Sequence, residues 1–173
     1  AITLEDATEA PRVATPLGLY DACPISDGAA AVVLTSESFA QEHDIEAPIS
    51  VTGTGQGTDN LALQERASLW RTSAAETAAE TAYDEADIGP EDVDCAEVHD
   101  CFTIAEVFAT ESLGFFDPGE GLTAARNGET ARDGSIPVNL SGGLKAKGHP
   151  VGATGVAQVA ELAELLEGPH ARS

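Results

Sequence analysis

The chain has 173 residues, 42% of them apolar, and carries 30 acidic side chains against eight lysines and arginines, a formal net charge of −22. That charge is spread along the chain rather than gathered in a tail, and it sets the protein against nucleic acid and anionic membrane as partners. The apolar fraction excludes wholesale disorder. A surface so rich in carboxylates suits a high-salt cytosol, where counter-ions screen the self-repulsion.

Three cysteines, an odd number without a pairing pattern, suit a reducing compartment. Histidines at 43, 99, 149 and 170 are scattered, and no Cys-x-x-Cys occurs, so no metal-ligand spacing is present. Neither a targeting pattern nor an apolar run of bilayer length is found, which gives the expectation of a soluble, cytoplasmic protein.

In chain order, residues 1–24 read as irregular, punctuated by Pro11, Pro16 and Pro24. Residues 29–35 read as a strand, apolar on both faces and therefore central in a sheet. A short helix is expected over 36–43 and a second strand over 49–53, with Pro48 marking a domain boundary. Gly53-Thr54-Gly55-Gln56-Gly57 lacks the third glycine of a dinucleotide fingerprint and reads as a flexible connection. Ser73-Ala74-Ala75-Glu76 has the form of a capping box opening a helix to about Ala86. The inner stripe of that helix (Ala75, Ala78, Ala79, Ala82, Tyr83, Ala86) is nearly all alanine and predicts close packing on a neighbour. Beyond Ile88-Gly89-Pro90 the pattern is strand 93–98, helix 103–113, a polar loop 114–134, strand 136–140 and helix 152–167. Alternating strands and helices indicate an α/β layered architecture.

Three motifs carry chemistry. Gly142-Gly143-Leu144-Lys145-Ala146-Lys147-Gly148-His149-Pro150-Val151-Gly152-Ala153-Thr154-Gly155 sets one histidine among five glycines, between a strand and a helix. Glycines let the backbone approach a ligand closely, Pro150 stiffens the chain after His149, and a helix beginning near Gly152 aims free amides at the same spot. His99-Asp100-Cys101-Phe102 follows one predicted strand and precedes a helix, a junction at which the pKa of the Cys101 thiol is expected to be lowered. Ser26-Asp27-Gly28-Ala29-Ala30-Ala31-Val32-Val33-Leu34 leads into another strand. Cys23 and Cys95 read as packing residues. Asn139-Leu140-Ser141 matches a glycosylation sequon but lies between a strand and the glycine loop, and is set aside.

In order and spacing these motifs resemble those of thiolases, and the His-Asp-Cys-Phe form resembles the sterol-carrier-protein-type and archaeal acetyl-CoA acetyltransferase branch. The resemblance runs from about Pro16 to Gly168. It implies a thiolase-like layered αβαβα fold, of which these residues are the end of the first half (1–47) and most of the second (48–173). It further implies an acyltransferase that makes or breaks a carbon–carbon bond by Claisen condensation or thiolysis of acyl-CoA. His149 would activate the nucleophilic cysteine and bond the thioester oxygen, Cys101 would be the acid/base thiol, and His99 would orient an oxyanion-hole water. Gly142, Gly143 and Gly148, with Lys145 and Lys147, would meet coenzyme A, although two solvated lysines are the plainer reading. Coenzyme A or acyl-CoA would be substrate, with no permanently bound cofactor and no metal.

The nucleophile-bearing segment and the final strands of a thiolase are not found in these residues, so the chain alone is expected to be inactive and to need a complementary half. A homo-oligomer, and assembly with a hydroxymethylglutaryl-CoA synthase and a small bridging protein, are the implied partners. The alternatives are a non-catalytic acyl-CoA or lipid-binding module on the same fold and another thiolase-fold condensing enzyme. Gly148-His149-Pro150 speaks against a ketoacyl synthase.

The charge yields a first prediction. Below roughly 1 M salt, where the screening length grows beyond about 3 Å, the protein loses stability. A melting temperature that rises steadily from dilute buffer to concentrated KCl is expected, and one that stays constant contradicts it.

Overall fold

The structure is a computed structural model and describes residues 2–46 and 49–168; the expected boundary at Pro48 lies outside them. Seven α-helices occur among these residues: α1 (Leu4–Glu9), α2 (Glu37–Glu42), α3 (Ser73–Ala86), α4 (Thr103–Ser112), α5 (Gly121–Asn127), α6 (Gly143–Lys147) and α7 (Thr154–Glu167). A short antiparallel hairpin joins β1 (Arg12–Ala14) to β2 (Leu17–Gly18).

The amino-terminal stretch is more regular than its prolines imply. Thr3 and Asp6 form a reciprocal capping box that starts α1, and the hairpin follows. Conversely, the box expected at Ser73 does not form. Thr72 is the N-cap, and Glu76 instead accepts two bonds from the Arg71 guanidinium, at 2.8 and 2.9 Å. The polar loop 114–134 contains α5, and the glycine loop contains α6; neither is expected from the sequence pattern.

The core lies where two predicted strands meet. Residues 93–98 and 136–140 run parallel through the bridge Ala96–Val138, with the Ala96 amide bonded to Pro137 O and the Asn139 amide to Ala96 O. Val98, Ile136 and Val138 are buried there, and Leu113, Phe115 and Phe116 pack against them from the end of α4. The Tyr83 hydroxyl donates to Leu113 O at 2.9 Å and so ties α3 to α4.

Residues 29–35 depart from expectation. They form no regular element and, among the described residues, pair with no strand, and Val33 and Leu34 are 96% and 74% exposed. Residues 49–53 likewise form no regular element and pair with no strand among the described residues. Both segments have the apolar content of buried strands without a covering layer. Between them lies a groove of about 1020 Å³ that contains neither His149, His99 nor Cys101.

The Gly-x-Gly-x-Gly segment is no flexible connection. A methyl group on Gly53, Gly55 or Gly57 would collide with the carbonyl oxygens of Ala82, Ala78 and Ala74 respectively. Two residues of extended chain span about 6.6 Å and four residues of helix about 6 Å, so a glycine at every second residue meets an alanine at every fourth. The alanine stripe of α3 thus has the close neighbour its composition calls for. Gly55→Ala should cost about 1–3 kcal/mol by overpacking, read as a lower urea midpoint with an unchanged slope. Gly152→Ala, where the methyl meets open space, should stay within about 0.5 kcal/mol. Equal effects would contradict this packing.

Candidate functional site

The segment 22–28 brings the three motifs together. At one end Ala22 bridges Phe102, and the Cys23 amide donates to Cys101 O at 3.0 Å. Two residues on, Ile25 bridges His149, and the His149 amide donates to Ser26 Oγ at 2.8 Å. Gly28 then lies against the Pro150 ring so closely that a side chain there would strike it. One extended strip therefore holds the His-Asp-Cys-Phe motif on one side and the Gly-His-Pro motif on the other.

His99 and His149 consequently meet edge to face, with ring centroids 4.6 Å apart. His149 is half-buried, and its Nδ1 lies 2.7 Å from Thr154 Oγ. The His99 pKa falls below its ordinary value, first because burial of part of its ring disfavours charge and then because His149 repels a second cation. Asp100 opposes this only weakly. His99 is thus a neutral imidazole at neutral pH, able to hold a water without adding charge.

Glycine is required in this loop for two distinct reasons. Gly143 (φ +65°) leaves room for Asp100, whose carboxylate accepts the Leu144 amide at 2.9 Å and so caps α6. Gly148 (φ +84°) leaves room for the Ser26 hydroxyl that receives the His149 amide. Gly142 (φ +94°) is the left-handed residue that starts α6. The amides of Ala153 and Thr154, at the start of α7, do not point freely into the site as the sequence implied; both donate to Pro150 O.

The two lysines of the loop are already occupied. Lys145 Nζ donates to Leu19 O and Ala22 O at 2.9 and 2.8 Å and sits 5.2 Å above the Tyr20 ring. Lys147 lies between Glu97 and Glu161 at 3.8 and 3.3 Å. Lys145 thereby anchors the start of the strip 22–28, a structural task its position in the sequence did not disclose.

Cys101 is half-buried, and burial raises its thiol pKa, with the neighbouring Cys23 adding to the effect. The sequence position, before a helix, implied the opposite shift. A raised value keeps the thiol protonated at neutral pH, which suits a proton donor better than a nucleophile. Burial raises Cys95 as well, with Asp94 and Glu97 reinforcing it, in keeping with a packing role. Cys23, read as packing, lies beside Cys101.

Asn139 is the least expected contributor. It is buried with φ +52°, and its Oδ1 accepts the Val98 amide at 2.8 Å while its Nδ2 donates to Glu106 Oε2 at 3.2 Å. It fixes the end of the strand from which His99 and Cys101 emerge to the first turns of α4. Its burial agrees with setting the sequon aside.

The thiolase C-terminal domain-like family pattern matches residues 55–172. The chain belongs to the thiolase family. It is 47% identical over 167 residues to an acetyl-CoA acetyltransferase of Methanothermobacter thermautotrophicus, covering 96% of this chain and 43% of that protein. To human sterol carrier protein 2 it is 35% identical over 170 residues, covering 96% of this chain and 31% of that one. The structure superposes on a solved Ltp2-ChsH2(DUF35) aldolase with a TM-score of 0.83 at 24% identity, over 95% of this chain and 43% of that one, a likeness of fold alone. The chain thus spans under half the length of these relatives. No helix among the described residues is long and apolar enough to cross a membrane.

The Cys101 thiol gives a direct check. Its alkylation by iodoacetamide should be slow near neutral pH and accelerate only above the ordinary cysteine range, about 8.5. Fast labelling at neutral pH would contradict a buried, protonated thiol.

Proposed function

We propose that these residues supply the acid/base half of an acetyl-CoA C-acyltransferase active site, which performs Claisen condensation or thiolysis once a nucleophile-bearing half completes it. The observation that carries this reading is the convergence of His149, His99 and Cys101 through the strip 22–28. Its support is that the acetyl-CoA acetyltransferase relative matches nearly all of the chain.

In thiolysis, His149 Nε2 takes the proton from the nucleophilic thiol of the complementary half, and the thiolate attacks the β-carbonyl of a 3-oxoacyl-CoA. The carbon–carbon bond breaks, and the electron pair left on the α-carbon takes the Cys101 proton, releasing acetyl-CoA and leaving the shortened acyl group on the enzyme thiol. The enzyme-bound acyl group then passes to the thiol of a second coenzyme A. Condensation runs the same steps backwards, with Cys101 as thiolate removing the α-proton. His99 holds the water that faces the developing oxyanion. The backbone at Gly142, Gly143 and Gly148 borders the acyl-CoA, while Lys145 and Lys147 act mainly by fixing the loop.

The same proposal divides the chain into the end of one thiolase half (1–47) and the second half (48–173). It places the protein in a salt-adapted cytoplasm as an oligomer, its surface free of nucleic acid and membrane. The solved neighbour's name couples Ltp2 to a DUF35 protein, which favours a small bridging partner here too, beside a hydroxymethylglutaryl-CoA synthase.

In the complete enzyme, His149→Ala should reduce acetoacetyl-CoA thiolysis by roughly 10²–10⁴-fold while thermal unfolding stays close to wild type. An unchanged rate would favour the non-catalytic acyl-CoA or lipid-binding reading instead.

A further inference from the structure

We infer that Thr154 is the positioning residue of His149, a two-way hydrogen-bond partner that lets the neutral ring present Nε2 either as a base or as a donor. The catalytic half of this inference rests on the function proposed above; the structural half does not.

Thr154 is the first residue of α7 and only 5% exposed, so water does not compete for its hydroxyl. Its Oγ lies 2.7 Å from His149 Nδ1 and 3.1 Å from Pro150 O. A hydroxyl holds one proton and two lone pairs. When that proton points to Pro150 O, Oγ accepts from Nδ1–H, and Nε2 is left with a lone pair that can take a thiol proton. Pro150 O already receives the amides of Ala153 and Thr154, at 2.9 and 3.0 Å, so it does not require the hydroxyl as well. In the other tautomer, reached when the ring gives its Nδ1 proton to water and gains one from water at Nε2, a rotation about the C–O bond turns the hydroxyl proton onto the bare Nδ1, and the Nε2–H is ready to bond a thioester oxygen.

A carboxylate in place of Thr154 could only accept and would fix the first state; an amide N–H could only donate and would fix the second. A hydroxyl supports both tautomers. His149 needs both, because it meets a thiol in one step and a carbonyl oxygen in another. The rest of the ring's surroundings is rigid: its amide is tied to Ser26 Oγ, and His99 closes one side. The branched side chain of threonine restricts χ1, so the hydroxyl stays in place while its proton moves.

The test uses the complete protein with ¹⁵N-labelled histidine, the His149 signals being assigned by their loss in His149→Gln. In the wild type and in Thr154→Ser, the imidazole nitrogen shifts should report both neutral tautomers. In Thr154→Val, which keeps the shape and removes the hydroxyl, they should move to the Nε2–H tautomer, because a buried Nδ1–H would lack an acceptor. Thiolysis by Thr154→Val should fall at least about tenfold in kcat with KM within about twofold, and Thr154→Ser should restore it. A wild type locked in one tautomer, or a valine variant with unchanged shifts, overturns the inference. Should the protein show no thiolysis at all, the function proposed above fails, and the nitrogen shifts still decide the role of Thr154.

Discussion

Everything at this site depends on a strip of seven residues that is hydrogen-bonded on both sides. Residues 22–28 meet Cys101 and Phe102 through one bridge and His149 through another, and Lys145 holds the start of the strip by bonding to two of its neighbouring carbonyls. Apart from the strip, the two chemical motifs lie on separate loops held near each other by the parallel pairing of Ala96 with Val138 and by the bonds that Leu144 and Ser141 donate to Asp100 and Glu97. Backbone bonds of this kind are individually worth about 1 kcal/mol. Their value here is geometric, since they fix three independent segments in one register.

Two groups of the site carry no charge at neutral pH. Burial and repulsion from His149 keep His99 uncharged, and burial keeps the Cys101 thiol protonated. The carboxylates nearest to it have structural tasks: Asp100 caps α6, Glu97 holds Ser141, and Glu106 accepts from Asn139. Burial pushes the Glu106 pKa up, the bond from Asn139 only partly offsetting it. Uncharged groups of this kind fit the proposed reaction, in which protons would move among thiols, an imidazole and an enolate-like carbon.

Much of this was legible in the residues themselves. The helical periodicity of 73–86, 103–113 and 152–167 recurs in α3, α4 and α7 within two residues at each end. The Gly-His-Pro and His-Asp-Cys-Phe motifs indicated which side chains meet. Less legible was anything that depends on a partner distant in sequence. The apolar run 29–35 has the composition of a central strand, but composition cannot say whether a neighbour covers it. Asn139 looked like a sequon fragment because its value lies in a positive φ and two long-range bonds. Ser26 and Thr154 are small polar residues in glycine-rich loops, and no spacing rule distinguishes them from solvent-facing turns. The Cys101 shift runs opposite to what its sequence position implies, because proximity to a helix start is local, whereas burial is set by the whole fold.

The most direct test of the strip is amide hydrogen exchange at His149. Its N–H should be strongly protected in the wild type and lose that protection in Ser26→Ala, while the Val98 amide, bonded to the Asn139 side chain, keeps its own. A His149 amide that exchanges in the wild type as freely as in an unstructured peptide would show that the imidazole is not held where this account needs it.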